Sequence, residues 1–190
     1  MNPFRSDGDE LTYYARLPLV ATLLLLGFPC LAEEAVIGEF ALEVDTKAIT
    51  LKSYYIAEDD FSDLSFQESS GIKSYFVSAS ADEGLPLVDV VLQEGSVAGA
   101  LSIVSVTFID QNYDTALAAS ALTAGGVALD GLGVIMDDLV ELDDDGALNF
   151  SFNVELVRID LDSDTPIAGA DGAHIAASFA GRFPTSTLNE

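Results

Sequence analysis

The sequence predicts an all-β domain, built as an antiparallel β-sandwich or barrel of about eight strands. Apolar and polar residues alternate with a period of two in several segments, and short turn motifs rich in Asp and Gly separate these segments. The chain has 190 residues, of which 49% are hydrophobic, so it can bury a core of its own.

The segment Gly38–Asp45 shows the alternation most clearly. Phe40, Leu42 and Val44 share one face, and acidic residues and alanine occupy the other, which is typical of a half-buried strand. A turn at Asp45 leads into the next candidate strand. The remaining strands are predicted at Ala48–Ile56, Ile72–Ala79, Pro86–Leu92, Leu101–Ile109, Leu132–Leu142, Ala147–Leu161 and Ala173–Phe183.

Three of these segments carry further information. Leu101–Ile109 is apolar on both faces and is expected to be a central strand. Asp143 to Gly146 has the composition of a hairpin turn. The alternation changes phase at Leu156 and Val157, which predicts a β-bulge at that point.

Two segments depart from the strand pattern. Asp114–Ala124 is rich in alanine, begins with a good N-cap and is followed by two glycines, so we predict one short helix near residues 114–124. Glu58–Ser70 is polar and irregular, and we predict a loop there.

The N-terminal segment predicts export. Leu17–Phe28 is an apolar run that follows Arg16, and a small residue, Ala32, comes shortly after it. These features are typical of a secretory signal peptide over residues 1–32, cleaved to leave a β-rich domain over 33–190. An uncleaved anchor or a lipid on Cys30 is the weaker interpretation, since the run is short for a membrane span. We therefore expect a periplasmic or extracellular protein with no membrane span after cleavage.

Charge restricts the function further. The chain has 32 acidic and 7 basic residues, a formal net charge of −25; removing residues 1–32 takes away two arginines and three acids and leaves −24. Such a surface repels nucleic acids. The single cysteine lies in the signal peptide, so no disulfide is expected. An acidic surface of this kind suits a marine or halophilic setting; a cationic or envelope partner is the second explanation.

Four aspartates are candidates for a calcium site. Asp160, Asp162 and Asp164 alternate, and Asp171 follows in the same turn-rich segment. Calcium prefers several carboxylate and carbonyl oxygens. An EF-hand loop would have Gly and Glu where this chain has Thr165 and Asp171. A solvated acidic loop without metal is therefore the favoured interpretation.

Catalytic motifs are lacking in the sequence. His174 is the only histidine, and neither a G-x-S-x-G motif nor a phosphate loop is present. We expect a non-enzymatic, exported β-domain without a cofactor, acting as a binding or structural module whose partner the sequence does not identify. One alternative is a ligand-carrying β-barrel with an apolar cavity, lined by Phe40, Phe76, Phe108, Phe150, Phe152 and Phe179. Another is a calcium-dependent surface module.

Overall fold

A computed structural model describes residues 34–82, 84–95, 100–121, 123–124, 127–128 and 132–184, and the side chains of most of them. The predicted signal peptide lies outside these ranges. Within them the chain forms strands and turns and no helix, which confirms the predicted all-β class. No segment in these ranges is a helix long and apolar enough to cross a membrane.

The strands follow one another along the chain with short connections. They are β1 (Glu34–Val44), β2 (Lys47–Ile56), β3 (Phe61–Ser62), β4 (Leu64–Ser69), β5 (Ile72–Ser80), β6 (Leu87–Glu94), β7 (Leu101–Ile109), β8 (Thr115–Ser120), β9 (Thr123–Ala124), β10 (Val127–Ala128), β11 (Val134–Leu142), β12 (Ala147–Asp160), β13 (Thr165–Pro166) and β14 (Ala173–Arg182).

Eight of these strands form a closed antiparallel ring. The order around the ring is β1, β2, β5, β6, β7, β8, β12 and β14, which is also their order along the chain. The ring closes where Lys52 of β2 pairs with Ser80 of β5. The described structure is therefore the barrel form of the two architectures predicted. Strands β3, β4, β11 and β13 pair with strands of the ring, whereas β9 and β10 pair with each other in a separate two-stranded sheet.

The core lies inside the ring. Alternate residues of each strand point inwards, so that Phe40 pairs across the ladders with Leu51 on one side and Phe179 on the other. The ring centroids of Phe40, Phe150 and Phe179 lie 4.7–5.4 Å apart. Phe76 is absent from the buried core, because its neighbours Tyr75 and Val77 take the inward positions of β5.

The predicted helix over residues 114–124 is wrong. Thr115–Ser120 forms strand β8, whose Leu117 and Ala119 belong to the main core. Ala116 and Ala118 pack on the outer face with Ile109 and Ile159. Because both faces of β8 are buried, its sequence lacks the polar alternation that marks a half-buried strand, and packing overrides the helix propensity of alanine.

The β-bulge predicted at Leu156 and Val157 is also wrong. No register shift occurs there. Leu156 points into the main core, whereas Ile159 packs outside the ring in the smaller cluster around β8. The change of phase in the sequence thus reflects a second hydrophobic cluster on the outer face, formed where the neighbour of β12 changes from β11 to β8.

The segment Glu58–Ser70 contains more order than predicted. A turn over residues 57–60 is followed by β3, which pairs with β2, and by β4, which pairs with β5. Leu64 of this segment is fully buried in the core. Strands β3 and β4 therefore lie between β2 and β5, beside the point where the ring closes.

Candidate functional site

The candidate site is a groove of about 410 Å³ on the outer face of the ring, where β2, β3 and β5 meet. We call it the Asp63 groove. Its walls combine carboxylates with aromatic and aliphatic side chains: Glu34, Asp63, Asp82, Tyr54, Ile56 and Phe61. Its volume is in the range of pockets that hold small ligands or single side chains.

The sequence places the apolar walls by simple alternation. Ser53 of β2 points inwards and is fully buried, so Tyr54 points outwards. The turn that ends at Asp60 has a positive φ of 49° there and returns the chain as β3. Phe61 consequently pairs with Ile56 and remains 51% exposed. An aromatic side chain and an aliphatic one thus stand side by side at the edge of the groove.

Asp63 lines the groove and is fixed by three hydrogen bonds. Its backbone N–H donates to the Tyr54 carbonyl oxygen over 3.0 Å, and its Oδ2 accepts from the Tyr54 backbone N–H over 2.7 Å. Its carbonyl oxygen accepts from the Ser78 N–H over 2.8 Å. One residue therefore connects β2 to β5, and its carboxylate has a defined position.

Burial raises the pKa of the Asp63 carboxyl above its ordinary value. The hydrogen bond from the Tyr54 N–H opposes this rise, and the negative charge of Asp89 adds to it. None of the four ion pairs among the described residues includes Asp63. Within the described ranges this carboxylate is thus partly desolvated with no cation paired to it, a property that is frequent at functional sites.

Asp82 forms the opposite wall and already has partners. The Tyr54 Oη donates to Asp82 Oδ1 over 3.1 Å, and Lys52 Nζ lies 3.7 Å from the same oxygen. Burial and then this hydrogen bond raise the pKa of the Tyr54 hydroxyl, which stays protonated at neutral pH. Since Asp82 is largely exposed, these contacts can exchange with water or with an incoming group.

The chemistry of the groove favours a positively charged group. A cation near Asp63 would offset the cost of its partly buried charge. The faces of Tyr54 and Phe61 can add a cation–π contribution. A groove with these walls suits an ammonium or guanidinium group better than an anion or a purely apolar ligand.

The four calcium candidates are distant in sequence from the residues that line this groove. Asp160 ends β12, Asp162 and Asp164 belong to the turn that follows, and Asp171 precedes β14. Asp160 Oδ1 accepts hydrogen bonds from the Ser163 N–H over 2.9 Å and the Ser163 Oγ over 2.8 Å. The bond from the Ser163 hydroxyl, followed by the bond from its backbone, lowers the pKa of Asp160. Its carboxylate thus already stabilises the turn.

Among the residues with described positions, no group of three or more His, Cys, Asp or Glu is arranged to hold a metal ion. The calcium site therefore remains a prediction. We expect equal shifts in melting temperature from calcium and magnesium, reproduced by sodium at matched ionic strength, because general screening acts on all acids alike. Thermal melts of the wild type and of Asp162→Asn/Asp164→Asn measure this. A saturable shift specific to calcium and lost in the double variant would instead establish the site.

Two other sequence motifs have structural roles. The predicted hairpin turn at residues 143–146 is present: the Gly146 N–H donates to the Asp143 carbonyl oxygen over 2.9 Å, and Gly146 has a φ of 83°. His174 pairs with Glu155 on the outer face of the β12–β14 ladder. Its backbone N–H donates to Asp45 Oδ1 over 3.2 Å, so this histidine lies beside the turn after β1.

Sequence reasoning missed the residues of the Asp63 groove. Phe61 and Asp63 fall in the segment predicted as a loop, and Tyr54 falls in the strand predicted at Ala48–Ile56, to which no site was assigned. The alternation of Leu64 and Phe66 with polar residues could have indicated β4. The contact between Asp63 and Ser78 could not, because it joins strands that the sequence does not show to be neighbours.

Comparison with known proteins gives no further guidance. No protein-family model matches the chain, and no curated protein matches it.

Proposed function

We propose that the chain is an exported, highly acidic and non-enzymatic β-domain that works as a binding module, with the Asp63 groove receiving a cationic group of its partner. One observation carries this proposal: a partly buried carboxylate, with no ion-pair partner in the described part of the chain, shares a groove with aromatic side chains. A ligand cation would supply the missing charge.

The charge of the whole chain supports the same partner. A net charge of −25 attracts cations over long range and accelerates their encounter with the surface. Long-range attraction does not select one place on the surface, however. The groove adds selectivity, because it combines a carboxylate of fixed position with apolar walls.

The exported location rests on the N-terminal sequence. A basic residue, an apolar run and a small residue before the cleavage point are typical of secretory signals. We expect N-terminal sequencing of the exported protein to begin at Glu33 within two residues. An intact leader recovered in a membrane fraction would contradict cleavage.

The groove is tested by titrating a capped trilysine peptide into the mature protein at low ionic strength, with calorimetric detection. Asp63→Asn is expected to weaken binding about 5- to 10-fold, which corresponds to roughly 1 kcal/mol or slightly more. The asparagine side-chain oxygen can still accept the hydrogen bond from Tyr54, so the fold is retained.

The matched control is Asp143→Asn. It removes the same charge from an exposed hairpin that does not line the groove. Equal losses in the two variants would mean that the peptide binds only to the overall charge, and the groove would then not be the binding site.

A ligand-carrying barrel is the second candidate, favoured by the closed eight-stranded ring. Rings of this size either fill with side chains or hold one small ligand. The phenylalanine side chains inside this ring contact one another closely, which leaves the binding module as the better supported function. Tight one-to-one binding of a fluorescent fatty acid would reverse this preference.

A further inference from the structure

The ring is weakest at the junction of β2 and β5. These two strands share a single residue pair, Lys52 with Ser80, whereas the other neighbours in the ring are joined by ladders of several pairs. Openings of a structure occur first where few backbone hydrogen bonds and few packed neighbours hold it. The junction is therefore where the ring would open most readily.

A small set of hydrogen bonds reinforces the junction. The buried Ser53 Oγ of β2 donates to the Ser78 carbonyl oxygen of β5 over 2.5 Å. Asp63 connects the same strands, accepting from Ser78 and exchanging hydrogen bonds with Tyr54. Opening of the junction would break both connections together.

The Asp63 groove lies directly across this junction. Tyr54 and Ile56 of β2 form one wall, and Ser80 at the end of β5 lies with Asp82 on the other. Asp63 stands between them. A ligand that touches both walls can make its full set of contacts only when β2 and β5 are held together.

We infer that occupancy of the Asp63 groove is coupled to closure of the strand ring, so that a bound cationic group stabilises the closed β2–β5 junction. The inference rests on the proposed function, because it concerns the same groove. Its physical content is that the ligand binds the closed junction and not the open one, and hence stabilises the closed state by mass action.

Residue-resolved amide hydrogen exchange of the mature protein tests the coupling. The reporters are the backbone N–H groups of Tyr54, Asp63 and Ser78, whose hydrogen bonds link β2 to β5 through Asp63. With the capped trilysine peptide at ten times its dissociation constant, exchange of these amides should slow about 11-fold, since opening must compete with binding. Unchanged exchange at full occupancy would overturn the coupling while leaving the proposed function in place.

Ser53→Ala provides a variant that weakens the junction without altering the groove, since Ser53 is buried and does not line it. Loss of its hydrogen bond should speed exchange of the three reporters about fivefold. Amides of the β12–β14 ladder should keep their wild-type rates, which shows that the opening is local. The peptide should slow the reporters of this variant by the same factor as in the wild type.

The outcomes separate the two hypotheses. Binding that slows the reporters supports both. Binding that depends on Asp63 but does not slow them supports the binding module alone. Absence of peptide binding to the wild type overturns both, and no folded variant is needed to reach that result.

Discussion

Replacing Phe40 with alanine is expected to lower the free energy of unfolding by about 3–5 kcal/mol. Phe40 is fully buried, and its ring centroid lies 5.4 Å from that of Phe150 and 4.7 Å from that of Phe179. Truncation removes these contacts and leaves a cavity that the surrounding strands, held by their ladders, can fill only in part. The melting temperature should fall by roughly 10 °C in a chain of this size.

Chemical denaturation with urea measures this change, and Phe61→Ala is the matched control. Phe61 is half exposed and outside the core, so its truncation should cost less than about 1 kcal/mol. Similar losses for the two variants would show that the interior of the ring is not packed around Phe40.

The melting temperature is also expected to rise with sodium chloride from low ionic strength upwards. The chain has 32 acidic residues against 7 basic ones, so most carboxylates have no cation to pair with. Their mutual repulsion destabilises the folded state and is screened within about 10 Å at 0.1 M salt. We expect a rise of about 5 °C or more up to 1 M, equivalent to roughly 1–2 kcal/mol.

Stability is also expected to depend on pH, through carboxyl groups whose pKa values change on folding. Asp63 has a pKa raised by burial, so its charge disfavours folding at neutral pH, and stability should increase as pH falls through its folded pKa. Asp110 behaves in the opposite way: the hydrogen bond from Arg158 lowers its pKa, so its contribution is lost when pH falls below the ordinary range of carboxyls. Stability should therefore peak at mildly acidic pH.

Melting curves across a salt series at neutral pH, and across a pH series at constant salt, measure both effects. Chloride salts of sodium and potassium should act alike. A melting temperature that stays flat or falls with salt would mean that the acids are compensated locally, and an acidic surface adapted to salt would lose its physical basis.

The sequence predicted well those strands whose residues alternate or are rich in β-branched and aromatic side chains. The strand predicted at Leu101–Ile109 coincides with β7, and Ala48–Ile56 and Ile72–Ala79 each lie within one residue of β2 and β5. Prediction failed for β8, because its alanine-rich sequence favours a helix and, with both faces covered, shows no polar alternation. It also failed for the bulge near Val157, because packing of Ile159 on the outer face changes the phase of the apolar residues without a register shift. In both cases the deciding contact comes from a distant part of the chain.

The candidate site was less accessible to prediction than the fold. Asp63 resembles every other aspartate in a chain rich in acids, and only its contacts with Tyr54 and Ser78 distinguish it. Those contacts depend on where the ring closes. By contrast, the four calcium candidates could be identified from their positions in the sequence. In the structure one of them, Asp160, accepts hydrogen bonds from Ser163 and so stabilises the turn after β12.

The ring order has a consequence for how the chain folds. Most neighbours in the ring are also neighbours in sequence and can form as hairpins, but β1 is completed only by β14, near the opposite end of the chain. Until that last strand is available, β1 and β12 each expose an unpaired edge to other chains. Glu39 and Glu43 lie on the exposed side of β1 and put negative charges beside its unpaired edge. The acidic surface therefore also disfavours aggregation of the nascent protein before the ring is complete.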